Sequence, residues 1–78
     1  MTNVSFRIVQ LQMGYRIKLL QNGAGISQEI LALNANVDRT YVSQLERGIS
    51  NPSLLVLTKI AEELGTTVSE LTKLSHPG

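Results

Sequence analysis

The chain contains no cysteine, so neither a disulfide nor a thiolate metal site can hold it together. Its one histidine, His76, stands beside Pro77 and Gly78 at the end of the chain, where residues are commonly loose. A metal site or a histidine-centred catalytic apparatus is therefore not expected. Nowhere does an apolar run reach the roughly 18 residues that a membrane span needs. The first residues also lack the basic segment, apolar stretch and cleavage site of a secretory signal. The expected setting is the cytoplasm, with which the lack of cysteine agrees. The few acids are spread over helix starts and surfaces with no nucleophile–base pair, so an enzyme is the least expected class. No cofactor is expected, and no small-molecule ligand in so small a bundle.

With 78 residues the chain is read as one domain, 1–78. A domain of this size buries only about 60% of its unfolded surface and is marginal without help. Apolar residues, 42% of the total, suffice for one core, and self-association is the remaining source of stability. The net charge of +1 argues only weakly for nucleic acid, but it is unevenly placed. Up to residue 51, Arg7, Arg16, Lys18, Arg39 and Arg47 outnumber Glu29, Asp38 and Glu46. Beyond it, Glu62, Glu63 and Glu70 outnumber Lys59 and Lys73. The first part is the basic one.

Periodicity and caps predict an all-α fold, a compact bundle of about five helices. Phe6, Val9, Met13, Ile17 and Leu20 recur at steps of three and four, predicting a first helix over residues 4–21. Gly14 weakens it by about 1 kcal/mol relative to alanine and is read as the join to an N-terminal extension, residues 1–13. Asn22-Gly23-Ala24-Gly25 stops it. Ser27 caps a second helix, 28–34, with Leu31 and Ala32 inward; Asp38 caps a third, 39–47, with Val42 and Leu45 inward and Gly48 as its stop. Asn51 as cap and Pro52 in the first helical position open a fourth, with Leu54, Leu57, Ala61 and Leu64 as its buried stripe up to Gly65. Thr67-Val68-Ser69-Glu70 has capping-box spacing for a fifth helix through Leu74, so that the last two helices cover about 52–74.

Residues 28–47 carry the functional signal. Two short helices with a few residues between them must cross steeply. Such a crossing needs a small residue at the contact, which Ala32 supplies, and a turn residue tolerant of left-handed geometry, which Asn36 supplies. Val37, Val42 and Leu45 fix the later helix to the earlier one. Arg39, Thr40, Ser43, Gln44 and part of Tyr41 then point outward, as hydrogen-bonding side chains on a rod that a major groove accepts.

On these residues the chain resembles the lambda-repressor/Cro-like, or XRE-type, helix-turn-helix family. The matching segments are 25–29 (Gly-Ile-Ser-Gln-Glu), Leu31-Ala32, 37–48 (Val-Asp-Arg-Thr-Tyr-Val-Ser-Gln-Leu-Glu-Arg-Gly), Asn51-Pro52-Ser53-Leu54, Ile60-Ala61 and Leu64-Gly65. They extend from about Tyr15 to Leu71. The overall size and Asp38-Arg39-Thr40-Tyr41 further resemble the controller proteins of restriction-modification systems. Two positions depart from the family pattern: Asn36 stands where glycine is frequent in the turn, and Gln21 where an arginine often pairs with the glutamate matching Glu46. Glu46 must find another partner, for which Arg16, Arg47 and a backbone N–H are the candidates.

The resemblance implies double-stranded operator DNA as partner, with the third helix in the major groove. Arg39, Thr40, Ser43 and Gln44 are then the expected base readers, Arg39 through guanine O6 and N7 and Gln44 through adenine. Gln28 is expected to clamp a phosphate at a helix start, with Tyr41, Arg47, Ser50 and Asn51 as further phosphate contacts. Leu55, Val56 and Leu71 are expected to form a two-fold homodimer interface, because Leu55 and Val56 are apolar where the family is usually polar. Ile30 and Leu33 are surplus in the same sense, and the N-terminal extension is expected to cover them. An antitoxin, or a helix-turn-helix module that binds only protein, are the alternatives to a transcriptional regulator.

Overall fold

A computed structural model describes residues 2–74, with 2–4 in backbone only, so His76 lies outside the described residues. Five helices follow one another: α1 (Thr2–Ala24), α2 (Gln28–Ala35), α3 (Arg39–Glu46), α4 (Leu54–Glu63) and α5 (Val68–Thr72). α1 packs against α3 and α5, α2 against α3 and α4, and α4 against α5. α3 is thus held from two sides while its remaining face looks outward. Met13, Ile17, Leu31, Ala32, Ala35, Val42, Leu45, Leu57, Ile60, Ala61 and Leu71 fill the space between the helices.

The helix starts are local chemistry. Ser27 Oγ accepts from Ile30 N–H at 3.1 Å, Asp38 Oδ2 from Thr40 N–H at 2.9 Å, and Thr67 Oγ1 from Glu70 N–H at 3.1 Å. Each supplies an acceptor to a backbone donor that the first turn leaves open. The start of α4 differs from expectation: Ser53, not Asn51, is its cap, with Oγ accepting from Val56 N–H at 3.2 Å. Asn51 and Pro52 belong instead to the preceding loop, whose path is set by α1 holding the Ser50 carbonyl. With the helix starting later, Leu54 sits on its first turn outside the packing and is 71% exposed. The buried stripe is Leu57, Ile60 and Ala61, with Leu64 half-buried beside it. α5 ends at Thr72 rather than Leu74, because Lys73 is extended. Arg16 meets the open carbonyls there, donating to Leu71 O at 3.2 Å and Glu70 O at 3.4 Å.

Along α1 the inward face is rotated from the expected one. Met13 and Ile17 are buried as predicted, but Phe6 and Leu20 are exposed, and Gln10 and Gln21 are buried in their place. Both glutamines reach backbone carbonyls, Gln10 that of Ser50 at 2.8 Å and Gln21 that of Ile26. Those hydrogen bonds offset the desolvation of the amides. Apolar spacing alone therefore points to a face about one residue away from the true one.

Gly14 was expected to loosen α1, yet the helix runs through it without a break. A Cβ at this position would lie 2.3 Å from the Leu45 carbonyl oxygen and 3.0 Å from both the Glu46 carbonyl oxygen and the Gly48 amide nitrogen. The glycine is what lets α1 touch the backbone at the end of α3. Gly14→Ala is therefore expected to destabilise the fold by about 2–3 kcal/mol through overpacking. Gly23→Ala, where a Cβ meets nothing within 4 Å, is expected to gain up to about 1 kcal/mol from helix propensity. Urea unfolding of both variants checks the opposite signs.

Candidate nucleic-acid interface

Between α2 and α3 the chain turns on Asn36, which is left-handed at φ 59° and ψ 46° and donates its backbone N–H to Leu33 O at 3.2 Å. Val37 N–H then returns to Ala32 O at 2.9 Å. This closure lets α3 begin four residues after α2 ends. Asparagine fills the position because its short polar side chain lowers the cost of the left-handed region.

α3 is sharply two-sided. Val42 and Leu45 are fully enclosed, Tyr41 is half-buried against the core, and Arg39, Thr40 and Gln44 are exposed, with Ser43 partly so. The exposed side chains share one face, at steps of one, four and five residues. Asp38 spends its carboxylate on the Thr40 N–H, and Arg39 has no ion-pair partner among the described residues. The guanidinium therefore remains available to an outside acceptor. Of the expected phosphate contacts, Arg47 and Asn51 are exposed, and Ser50 and Gln28 are half-buried.

Two groups of contacts were not legible beforehand. Arg7, in the N-terminal turns of α1, donates to Gly48 O and to Gln10 Oε1, and Gln10 donates to Ser50 O at 2.8 Å. Together they fasten the loop that follows α3. Gly48, at φ +73°, turns that loop against Leu11 of the same helix. No spacing rule could link residues some forty positions apart. The partner of Glu46 is the second case: it is none of the three candidates but Gln28, whose Nε2 donates to Glu46 Oε1 at 2.9 Å. Arg16 is committed to the end of α5.

The expected dimer residues separate. Leu55 is 65% exposed, Val56 packs partly against the core, and Leu71 is completely enclosed, so Leu71 offers no surface to a second copy. It is the residue by which α5 is anchored. Ile30 and Leu33, expected beneath the N-terminal extension, are 45% and 72% exposed. The extension continues α1 along α3 and the following loop, away from α2, and so does not reach them.

The packed pair α2 and α3, the tight turn on Asn36 and an outward polar row on the second helix define a helix-turn-helix. The helix-turn-helix family (HTH_3) matches residues 17–71, and the chain belongs to it. It is 41% identical over 64 residues to control protein C.MunI of Mycoplasma sp, across 81% of this chain and 86% of that protein. It is 34% identical over 64 residues to control protein C.BamHI of Bacillus amyloliquefaciens, across 81% of this chain and 79% of that protein. The restriction-modification controller protein C.AhdI of Aeromonas hydrophila has a similar structure, with a TM-score of 0.75 and 39% identity over 80% of this chain and 94% of that one. The family match begins at residue 17, so the part of α1 that carries Arg7, Gln10 and Gly14 precedes it.

The cap of α3 is separable from its outward face. Asp38→Ala is expected to cost about 1 kcal/mol and Asp38→Asn a few tenths, since asparagine keeps the acceptor. Thermal unfolding distinguishes them, and equal losses would show that the carboxylate serves something other than the Thr40 N–H.

Proposed function

We propose that the chain is a sequence-specific DNA-binding transcriptional regulator that binds operator DNA as a homodimer with α3 in the major groove. The observation that carries this reading is the outward row of Arg39, Thr40 and Gln44 on a helix whose other face is locked by Val42 and Leu45. A rod fixed so firmly costs little ordering when it enters a groove. In this reading Arg39, Thr40, Ser43 and Gln44 read base edges, Arg39 by paired hydrogen bonds to guanine. Gln28, Tyr41, Arg47, Ser50 and Asn51 take phosphates, which fix register without reading sequence. The start of α2 is suited to this, because its first N–H groups and helix dipole favour an anion.

Low net charge argues for two heads acting together. Leu54 and Leu55, 71% and 65% exposed at the start of α4, are the residues proposed to meet a second copy, with the exposed edge of Val56. Two copies would present α3 to half-sites about 34 Å apart and stabilise one another by mass action. The relatives whose names read "control protein", with the similar structure of a restriction-modification controller protein, support a narrower assignment, control of a restriction-modification operon. The reading implies a cytoplasmic protein that performs no catalysis. Among the described residues no helix is long and apolar enough to cross a membrane.

Selecting bound duplexes from a random pool gives the operator. Arg39→Ala is then expected to cost about 1–3 kcal/mol, concentrated at one base pair; an equal loss on every sequence would reassign Arg39 to the phosphate backbone. Affinity should also fall steeply with salt, and salt-independent or absent binding would leave a protein-interaction module as the better reading. Leu55→Glu is expected to shift sedimentation from dimer to monomer, and an unchanged dimer would remove this surface from the interface.

A further inference from the structure

Among the described residues, α3 ends on a carboxylate that no cation answers. Glu46 Oε1 accepts from Gln28 Nε2 at 2.9 Å, while Oε2 is sealed from solvent and has no hydrogen-bond partner. Among the described residues no lysine or arginine lies within ion-pair distance of it. Arg7 is held by the Gly48 carbonyl, Arg16 by the end of α5, and Gln21 donates its amide to Ile26 O. The residue bonded to this carboxylate is the one that opens α2.

We infer that Glu46 is a brake on DNA affinity, its carboxylate repelling the phosphate that Gln28 and the start of α2 receive. The inference rests on the DNA-binding reading above. A carboxylate accepts only, so the Gln28 amide must turn its NH2 group inward, one N–H to Glu46 and the other left for a phosphate. Two anions then share one amide nitrogen, which brings them within roughly 7 Å of each other. At an effective dielectric of about 40, unit charges at that separation weaken binding by on the order of tenfold. Glu29 is exposed on the same turn of α2, where water and salt screen it. Glu46 is partly enclosed and is screened less. The same group thus aims the phosphate ligand and opposes the phosphate, which keeps a single head weak and makes occupancy depend on two heads bound together.

Glu46→Gln separates the two effects, because glutamine keeps an acceptor for Gln28 and removes the charge. Fluorescence anisotropy would compare it with the full wild-type chain on the selected operator and on random-sequence duplex. At about 50 mM salt E46Q is expected to bind both duplexes about tenfold more tightly, and the gap should close towards about 400 mM as screening shortens. Glu62→Gln, which removes an exposed carboxylate from α4, should change affinity less than about twofold. Thermal unfolding checks that the variants fold, and Glu46→Met removes the charge if E46Q does not. Binding by E46Q no tighter than wild type at low salt overturns the proposal. So does a gain that persists unchanged at high salt, which would mark an altered contact, or an equal gain in E62Q, which would mark net charge. Failure of the wild type to bind any duplex brings down the DNA-binding reading itself, a distinct result.

Discussion

The contact of α1 with the last turn of α3 is the constraint on which the remaining geometry depends. At Gly14 the two backbones come so close that a single methyl group would meet the Leu45 carbonyl oxygen. α3 has only eight residues, too few to be stable as a helix alone. Its shape comes from burying Val42 and Leu45 between α1 and α2, and its height above the body from how deeply α1 lets it sink. A bulkier residue at position 14 would move the outward row bodily, because close-packed interiors shift rather than compress.

A second layer of control is polar and long-range. Arg7 and Gln10 hold the loop after α3, Arg16 gathers the end of α5, and Gln28 joins the start of α2 to the end of α3. Most of these bonds run from a side chain to a carbonyl that no helix satisfies. Each contributes only about 1 kcal/mol net, but leaving a partly buried carbonyl open would cost more. They therefore define direction more than they add stability. It is notable in this respect that Arg7, Gln10 and Gly14 all precede the segment shared with the helix-turn-helix family. The family's compact unit carries α3, and the earlier turns of α1 fasten that helix and its exit loop.

The fold was legible wherever the cause is local. Ser27, Asp38 and Thr67 were identified as caps because a cap and its donor lie within three residues of each other. Asn36 was identified as the turn residue because few side chains tolerate positive φ. The failures share a different cause. Asn51-Pro52 and Ser53 offer the same capping chemistry two residues apart, and only the loop tied to α1 decides between them. The pattern does not mark Gln10 and Gln21 as buried, because polarity does not reveal a carbonyl waiting across the fold. Leu71 was placed in the dimer interface although it faces the core, since a five-residue helix has too few positions to show which face is inward.

Sequence by itself determined five helices, the starts of α2, α3 and α5, the tight turn and the outward row of α3, since each follows from side-chain chemistry within about one turn of helix. Tertiary structure alone decided the rotation of α1, the enclosure of Leu71, the exposure of Ile30, Leu33 and Leu54, and the pairing of Glu46 with Gln28. Those outcomes depend on which surfaces meet across tens of residues, and contact at such separations leaves no periodic trace in the chain.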